Sequence, residues 1–254
     1  MLLMVVTLNA FNDDDIDGVA NSQDLCPNTS FDDIVDEDGC PQNQNDRGEI
    51  TLILGSNFNH DVVTTTDYTF FTNYHTHAWD FSIYSSQQEI LDSNNNTSQS
   101  AGDLYLSTGY SINQEKLYSK LTLGTKLATG SSEISTQERD YFATLSLSYL
   151  IKPKIALLSS LSYTLTGDSS ETSYRNSLGY TLGVGSDINE QWYSSLSYQN
   201  STSIYENSEN FQALSWYNSY NFSKHFFGTL TYGRGFDNLS YKQTISVGLG
   251  VTFE

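Results

Sequence analysis

The sequence predicts an all-β fold, an antiparallel transmembrane β-barrel of about twelve strands, and three observations predict it. The last stretch, Ser240–Phe253, alternates without a break, with Tyr241, Ile245, Val247, Leu249, Val251 and Phe253 on one face and Lys242, Thr244, Ser246, Gly248, Gly250 and Thr252 on the other. One side of such a strand wants hydrocarbon and the other tolerates water. Similar stretches recur from Glu49 onward, joined by connections that alternate between long and tight. No run approaches the ~18 apolar residues of a transmembrane helix, so a closed barrel is the one way left to span a bilayer.

The chain has 254 residues, with 18 Tyr, 13 Phe, only 3 Pro and a formal charge of −19. That charge is uneven. Residues 11–49 hold 12 acids and 1 base, whereas the rest of the chain carries a balance of only −8. Nucleic acid is not an expected partner, since it calls for basic patches. The chain divides accordingly: 1–10 as a signal-peptide remnant, 11–48 as an acidic segment, 49–254 as the barrel. Residues 1–10, MLLMVVTLNA, form a short apolar run ending in a small residue, without a basic start.

Within the acidic segment, numbering from Asp13 puts Asp13, Asp15 and Asp17 at positions 1, 3 and 5, Gly18 at 6, the Val19 carbonyl at 7, Asn21 at 9 and Asp24 at 12. A hard cation needs about six or seven oxygens gathered from one tight loop, and this spacing supplies them, with glycine at the sharp turn. Calcium is the expected ion. Cys26 and Cys40 lie in the same segment without a second pair at zinc spacing, and a disulfide is the better reading.

With the Leu25-Cys26-Pro27-Asn28-Thr29 and Val35-Asp36-Glu37-Asp38-Gly39-Cys40-Pro41 stretches that follow, residues 12–41 resemble one thrombospondin type 3 repeat of the kind found in bacterial outer-membrane proteins. The resemblance implies a calcium-binding module with paired cysteines that connects a barrel to a periplasmic domain. Asn21 stands where Asp is more usual, which weakens the expected site.

Twelve alternating segments are expected near 50–59, 66–74, 79–87, 103–112, 116–128, 140–151, 154–166, 173–186, 190–204, 210–222, 225–236 and 240–253. Between them, Ser86–Gly102, Thr129–Arg139, Gly167–Thr172, Tyr205–Glu209 and Asp237–Leu239 are polar and mostly longer, while His75–Ala78, Asn113–Glu115, Lys152–Pro153, Asp187–Asn189 and Ser223–Lys224 are tight. Long loops on one end and short turns on the other are the pattern of outer-membrane barrels. Aromatics flank both ends: Trp79, Tyr149, Trp192, Tyr220, Phe222, Phe226 and Phe253 beside the turns, Tyr68, Tyr141, Tyr174, Tyr205, Phe211 and Tyr241 at the other. At about 3.3 Å per residue and a tilt near 45°, Tyr241 and Phe253 stand roughly 28 Å apart vertically, close to the apolar band of such barrels.

The polar faces are read as lumen: Tyr105, Ser107, Gly109 and Ser111 in one strand, Tyr118, Lys120, Thr122, Gly124 and Lys126 in the next, Ser177, Gly179, Thr181, Gly183 and Gly185 further on. Small residues leave space, so a narrow pore is expected. Lys120, Lys126 and Lys242 are charges where water should be, either lining a selective pore or paired with an acid such as Asp80. His75 and His77 sit at a tight turn and read as solvated.

Gly124-Thr125-Lys126-Leu127-Ala128-Thr129-Gly130, followed by Glu138-Arg139-Asp140-Tyr141, is similar to the K-L-P-T-G … D-Y pattern of outer-membrane transporters grouped with phenol meta-cleavage pathways. Ala128 replaces the usual Pro. The resemblance implies a passive route for small molecules. No Ser and His pair is placed as a nucleophile and base would be, so an enzyme is not expected. Outer-membrane lipid, calcium and small solutes are the expected partners, and the acidic segment is expected in the periplasm. The alternative role is a membrane anchor whose calcium module spaces a periplasmic domain.

Overall fold

The computed structural model describes residues 49–60, 64–91, 97–132, 134–168, 174–205, 208–237 and 242–253. The chain divides into two units, Met1–Arg47 and Gly48–Glu254, and the described residues all belong to the second. Asp13, Asp15, Asp17, Val19, Asn21, Asp24, Cys26, Cys40 and Tyr241 lie outside them.

The described chain is strand and turn throughout: β1 (Glu49–His60), β2 (Thr64–Thr76), β3 (Trp79–Leu91), β4 (Thr97–Ala101), β5 (Leu104–Gln114), β6 (Leu117–Leu127), β7 (Asp140–Lys152), β8 (Ile155–Leu165), β9 (Ser177–Asp187), β10 (Trp192–Ser201), β11 (Phe211–Asn221), β12 (Phe226–Gly235) and β13 (Gln243–Phe253). Apart from β4 and β5, neighbours in sequence pair antiparallel, and β1 pairs with β13 from Ile50↔Phe253 to His60↔Gln243, which closes the sheet. β4 and β5 share β3, with β5 against Trp79–Tyr84 and β4 against Gln87–Leu91, so the thirteen segments make twelve staves. Closure leaves the twelve staves without an open edge, and only the short β4, paired with β3 alone, keeps one.

Side chains sort as alternation requires, but the sorting is inside out. Among the described residues no hydrophobic side chain is buried, whereas Asn59, Thr65, Asp80, Ser100, Asp103, Lys126, Ser203 and Asp237 are. Outward positions carry exposed Leu54, Leu121, Leu161, Leu182, Leu230 and Leu249. A water-soluble sandwich would bury these and expose the lysine. Only a surrounding hydrocarbon phase makes the arrangement favourable.

Both aromatic girdles are present, with one correction. Trp79, Tyr149, Trp192, Tyr220, Phe222, Phe226 and Phe253 all stand exposed around the short-turn end, and Tyr68, Tyr141 and Tyr205 at the long-loop end. Phe211, however, lies opposite Ser201 on the lumen side, because Gln212 takes the outward position and accepts the Tyr198 hydroxyl at 3.2 Å. The expected Ser86–Gly102 loop is also largely strand. The end of β3 and β4 form a hairpin beyond the apolar band, where backbone hydrogen bonds persist but Gln87, Glu89 and Gln99 leave no apolar alternation to read.

Candidate functional site

The inward positions of twelve staves make the candidate site, and both of its lysines lie in clusters of charge, one at each end. At the short-turn end, Lys120 Nζ on β6 meets Asp80 Oδ2 on β3 at 2.6 Å. β5 runs between these strands, and the lysine crosses it over Gly109, where a Cβ would stand 2.6 Å from Lys120 Cε. A residue without a side chain is what permits the crossing. Asp80 Oδ1 also accepts from Asn73 Nδ2 at 3.2 Å and lies 3.2 Å from His75 Nδ1. Asn73 in turn accepts Ser82 Oγ at 2.7 Å. His75 is therefore not merely a solvated turn residue: it sits at the lumen wall against Asp80.

At the long-loop end, Lys126 Nζ meets Asp140 Oδ2 on the adjacent strand at 2.7 Å, lies 3.7 Å from Asp103 Oδ2, and donates to Thr136 Oγ1 at 2.6 Å. Asp103 gathers the connection after β6. It accepts the backbone N–H groups of Thr129 and Gly130 at 3.1 and 2.8 Å, and the Ser135 hydroxyl at 2.7 Å. Thr129 Oγ1 accepts Leu104 N, Ser131 N donates to Ala101 O, and Gln137 Nε2 donates to Gly130 O at 2.6 Å. The bonds to the Asp103 carboxylate and from the Lys126 ammonium are charge-assisted, the stronger kind. The Lys126–Gly130 and Asp140–Tyr141 motif thus has a structural meaning: its lysine and aspartate pair, and its threonine and glycine cap a third residue, Asp103. Gly130 is required there, since a Cβ would stand 2.9 Å from both Asp103 Oδ1 and Ala101 O.

Lys242, expected on the lumen face of the last strand, lies one residue before β13, exposed, with Nζ 3.3 Å from the Asp237 carbonyl. It belongs to the rim. Asp67, unmarked in the sequence reading, accepts amides from Asn59 at 2.9 Å and Gln88 at 2.8 Å.

The lumen is also less uniformly small than expected. Phe142 lies over Gly124, Phe227 over Gly250 and the Tyr193 hydroxyl over Gly185, each on the neighbouring strand, so close that a Cβ at the glycine would clash. Rings that cover cross-strand glycines pin the register of a sheet. Tyr193 and Tyr217 stand 6.2 Å apart, and Tyr84 and Tyr105 meet edge to face at 5.7 Å. A concavity of about 910 Å³ lies elsewhere, on the apolar outer face between Leu54, Leu249 and Trp192, Trp216 and Tyr220, over Gly228. Among the described residues no cluster of three His, Cys, Asp or Glu could hold a metal ion.

No family model and no curated protein matches the chain. Solved structures do. An outer-membrane channel of the COG4313 group from Pseudomonas putida F1 shares 11% identity over 81% of this chain and 95% of its own, with a TM-score of 0.64. The NanC porin shares 12% over 80% and 99%, with a TM-score of 0.58. The KdgM porin in complex with disordered oligogalacturonate shares 9% over 81% and 98%, with a TM-score of 0.53. At these identities the likeness is one of fold: outer-membrane, porin-like barrels.

Proposed function

We propose that the chain is a bacterial outer-membrane channel giving passive passage to small solutes. The carrying observation is the inversion of the barrel, hydrocarbon-seeking side chains outside and hydroxyls, amides and paired ions inside, which creates a water-compatible path across an apolar layer. The likeness to porin-like channels supports it, since their fold serves that purpose. In this reading the long loops face outside the cell and the short turns face the periplasm. Swelling of proteoliposomes in small neutral solutes tests it: the full chain increases the rate above empty vesicles, and no increase for any solute sinks the reading.

The membrane-anchor reading is favoured by different observations, the inward rings of Phe142, Phe227 and Tyr193 and the connection folded onto Asp103. Those features narrow the lumen. Single-channel recording in a planar bilayer separates the two, because a sealed barrel conducts nothing.

The segment 11–48 carries a second part of the proposal: calcium held by Asp13, Asp15, Asp17, the Val19 carbonyl, Asn21 and Asp24 beside a Cys26–Cys40 disulfide, on the periplasmic side. Its support is the ligand spacing. With few apolar residues, such a segment depends on ion and cross-link for order. Calcium therefore lowers protease cleavage within residues 12–48, and Asp15→Ala with Asp17→Ala abolishes the protection; equal cleavage in calcium and chelator removes the metal.

A further inference from the structure

The charges of the lumen do not balance, and the imbalance sits toward one end. At the short-turn end Lys120 answers Asp80 one for one, at 2.6 Å. At the long-loop end a single lysine serves two acids, Lys126 Nζ lying 2.7 Å from Asp140 Oδ2 and 3.7 Å from Asp103 Oδ2. Asp67, on the inward face of β2 near the same end, is held by amides alone, Asn59 Nδ2 at 2.9 Å and Gln88 Nε2 at 2.8 Å. Asn59 is fixed in turn, accepting the Thr244 hydroxyl at 3.0 Å and donating to Thr65 Oγ1 at 3.1 Å. Amide donors are neutral, so they orient a carboxylate and leave its charge standing. A network across β13, β1, β2 and β3 thus holds an uncancelled anion at the lumen wall.

Other bases do not restore the balance. Arg234 stands on the outward face opposite Leu214, and Arg175 and Lys242 donate to backbone carbonyls, of Ser203 and Ser208 and of Asp237. The connections deepen the asymmetry. Those at the long-loop end, residues 61–63, 92–96, 102–103, 128–139, 166–176, 202–210 and 236–242, carry ten acids and three bases in sequence. Those at the short-turn end, residues 77–78, 115–116, 153–154, 188–191 and 222–225, carry two acids and three bases. A path lined by one sign of charge between low-dielectric walls concentrates counter-ions, and lumen charges act on a permeating ion at close range. A cation entering at the long-loop end meets an attractive mouth and then Asp67, whereas an anion is repelled by both.

Resting on the channel reading above, we infer that the barrel passes cations and cationic solutes in preference to anions, with Asp67 as the lumen residue that carries the uncancelled charge. The lysines do not reverse the preference, since each is in contact with a carboxylate and Lys126 is shared by two.

Full-length protein in proteoliposomes provides the test, with tracer uptake of sorbitol, its 1-amino analogue glucamine and its 1-carboxylate analogue gluconate. The three differ at one carbon, so size is held constant while charge runs from neutral to positive to negative. In about 0.1 M KCl, where the Debye length is about 10 Å, glucamine enters at least about tenfold faster than gluconate, with sorbitol between them. In a KCl gradient the reversal potential lies on the cation side of zero. Asp67→Asn removes the charge and keeps the shape, because the Gln88 amide can turn over to accept from the new one. It narrows the ratio of glucamine to gluconate and moves the reversal potential toward zero. Heat-modifiable migration on a gel verifies that the variant is a closed barrel, and Asp67→Ser stands in if it is not. Gluconate entering as fast as glucamine overturns this inference and leaves the channel intact, as does a ratio unmoved in the folded variant. No flux of any of the three overturns the channel reading instead.

Discussion

Lys120 and Lys126 lie on the same strand and the same face, and they are held in opposite ways. Lys126 meets an acid directly opposite on the next strand, Asp140, and a loop closes over it through Thr136 and Asp103, leaving it 5% exposed. Lys120 bypasses its neighbouring strand, reaches Asp80 two strands away over Gly109, and stays partly open to the lumen, its side chain 27% exposed. The first ion pair is sealed protein interior and the second is a solvated brace. Their removal should therefore differ in size and in what moves.

The largest effect is expected at Lys126. Lys126→Ala leaves Asp140 and Asp103 facing each other without their cation, and breaking a buried pair from one side costs about 3–5 kcal/mol. The temperature or urea concentration at which the folded gel band disappears should fall accordingly, while Lys126→Met combined with Asp140→Asn should recover much of the loss. A variant as stable as the parent would show that the site is wet.

Asp103→Ala comes next, at about 1–3 kcal/mol, because the N–H groups of Thr129 and Gly130 and the Ser135 hydroxyl lose their acceptor together. The connection should loosen before the barrel does. Trypsin cleavage at Arg139 measures this, and an unchanged rate would separate the loop from the cluster.

Lys120→Gln should cost about 1 kcal/mol, reduced by the solvent that reaches it. Gly109→Ala should produce a similar loss by obstructing the crossing, and the double variant should be no worse than either alone, since both break one contact. Additive losses would mean that Gly109 acts elsewhere. His75→Ala, at a side chain 45% exposed, should change stability by less than about 0.5 kcal/mol.

Strand count, alternation and both ends of the barrel were legible because period-two patterning reports which face meets hydrocarbon, and it did so from Ile50 to Phe253. Where the outer face leaves the apolar band the signal ends, which is why the β3–β4 hairpin reads as loop. The pairing of Lys120 with Asp80 was open in the sequence as one of two arrangements. Choosing between them needs the register that puts Gly109 opposite both Asp80 and Thr122, and spacing along the chain does not contain it. The inward rings were missed for the same reason: Phe142 and Phe227 look like ordinary members of apolar runs until their strands are aligned with Gly124 and Gly250. Lys242 has the parity of a lumen residue and simply falls outside the strand.

The seam between β1 and β13 joins the first described strand to the last, with Gly55 opposite Gly248 and Leu54 opposite Leu249. Nothing seals the cylinder until both have been made. A chain whose ends must find each other has high contact order, and its interior of hydroxyls and ions offers no apolar nucleus around which to collapse in water. Until closure, β1 and β13 each present a row of unsatisfied N–H and C=O groups beside exposed leucines, a template for aggregation. Assembly is therefore a race between membrane entry and self-association, and the step that decides it is the last one.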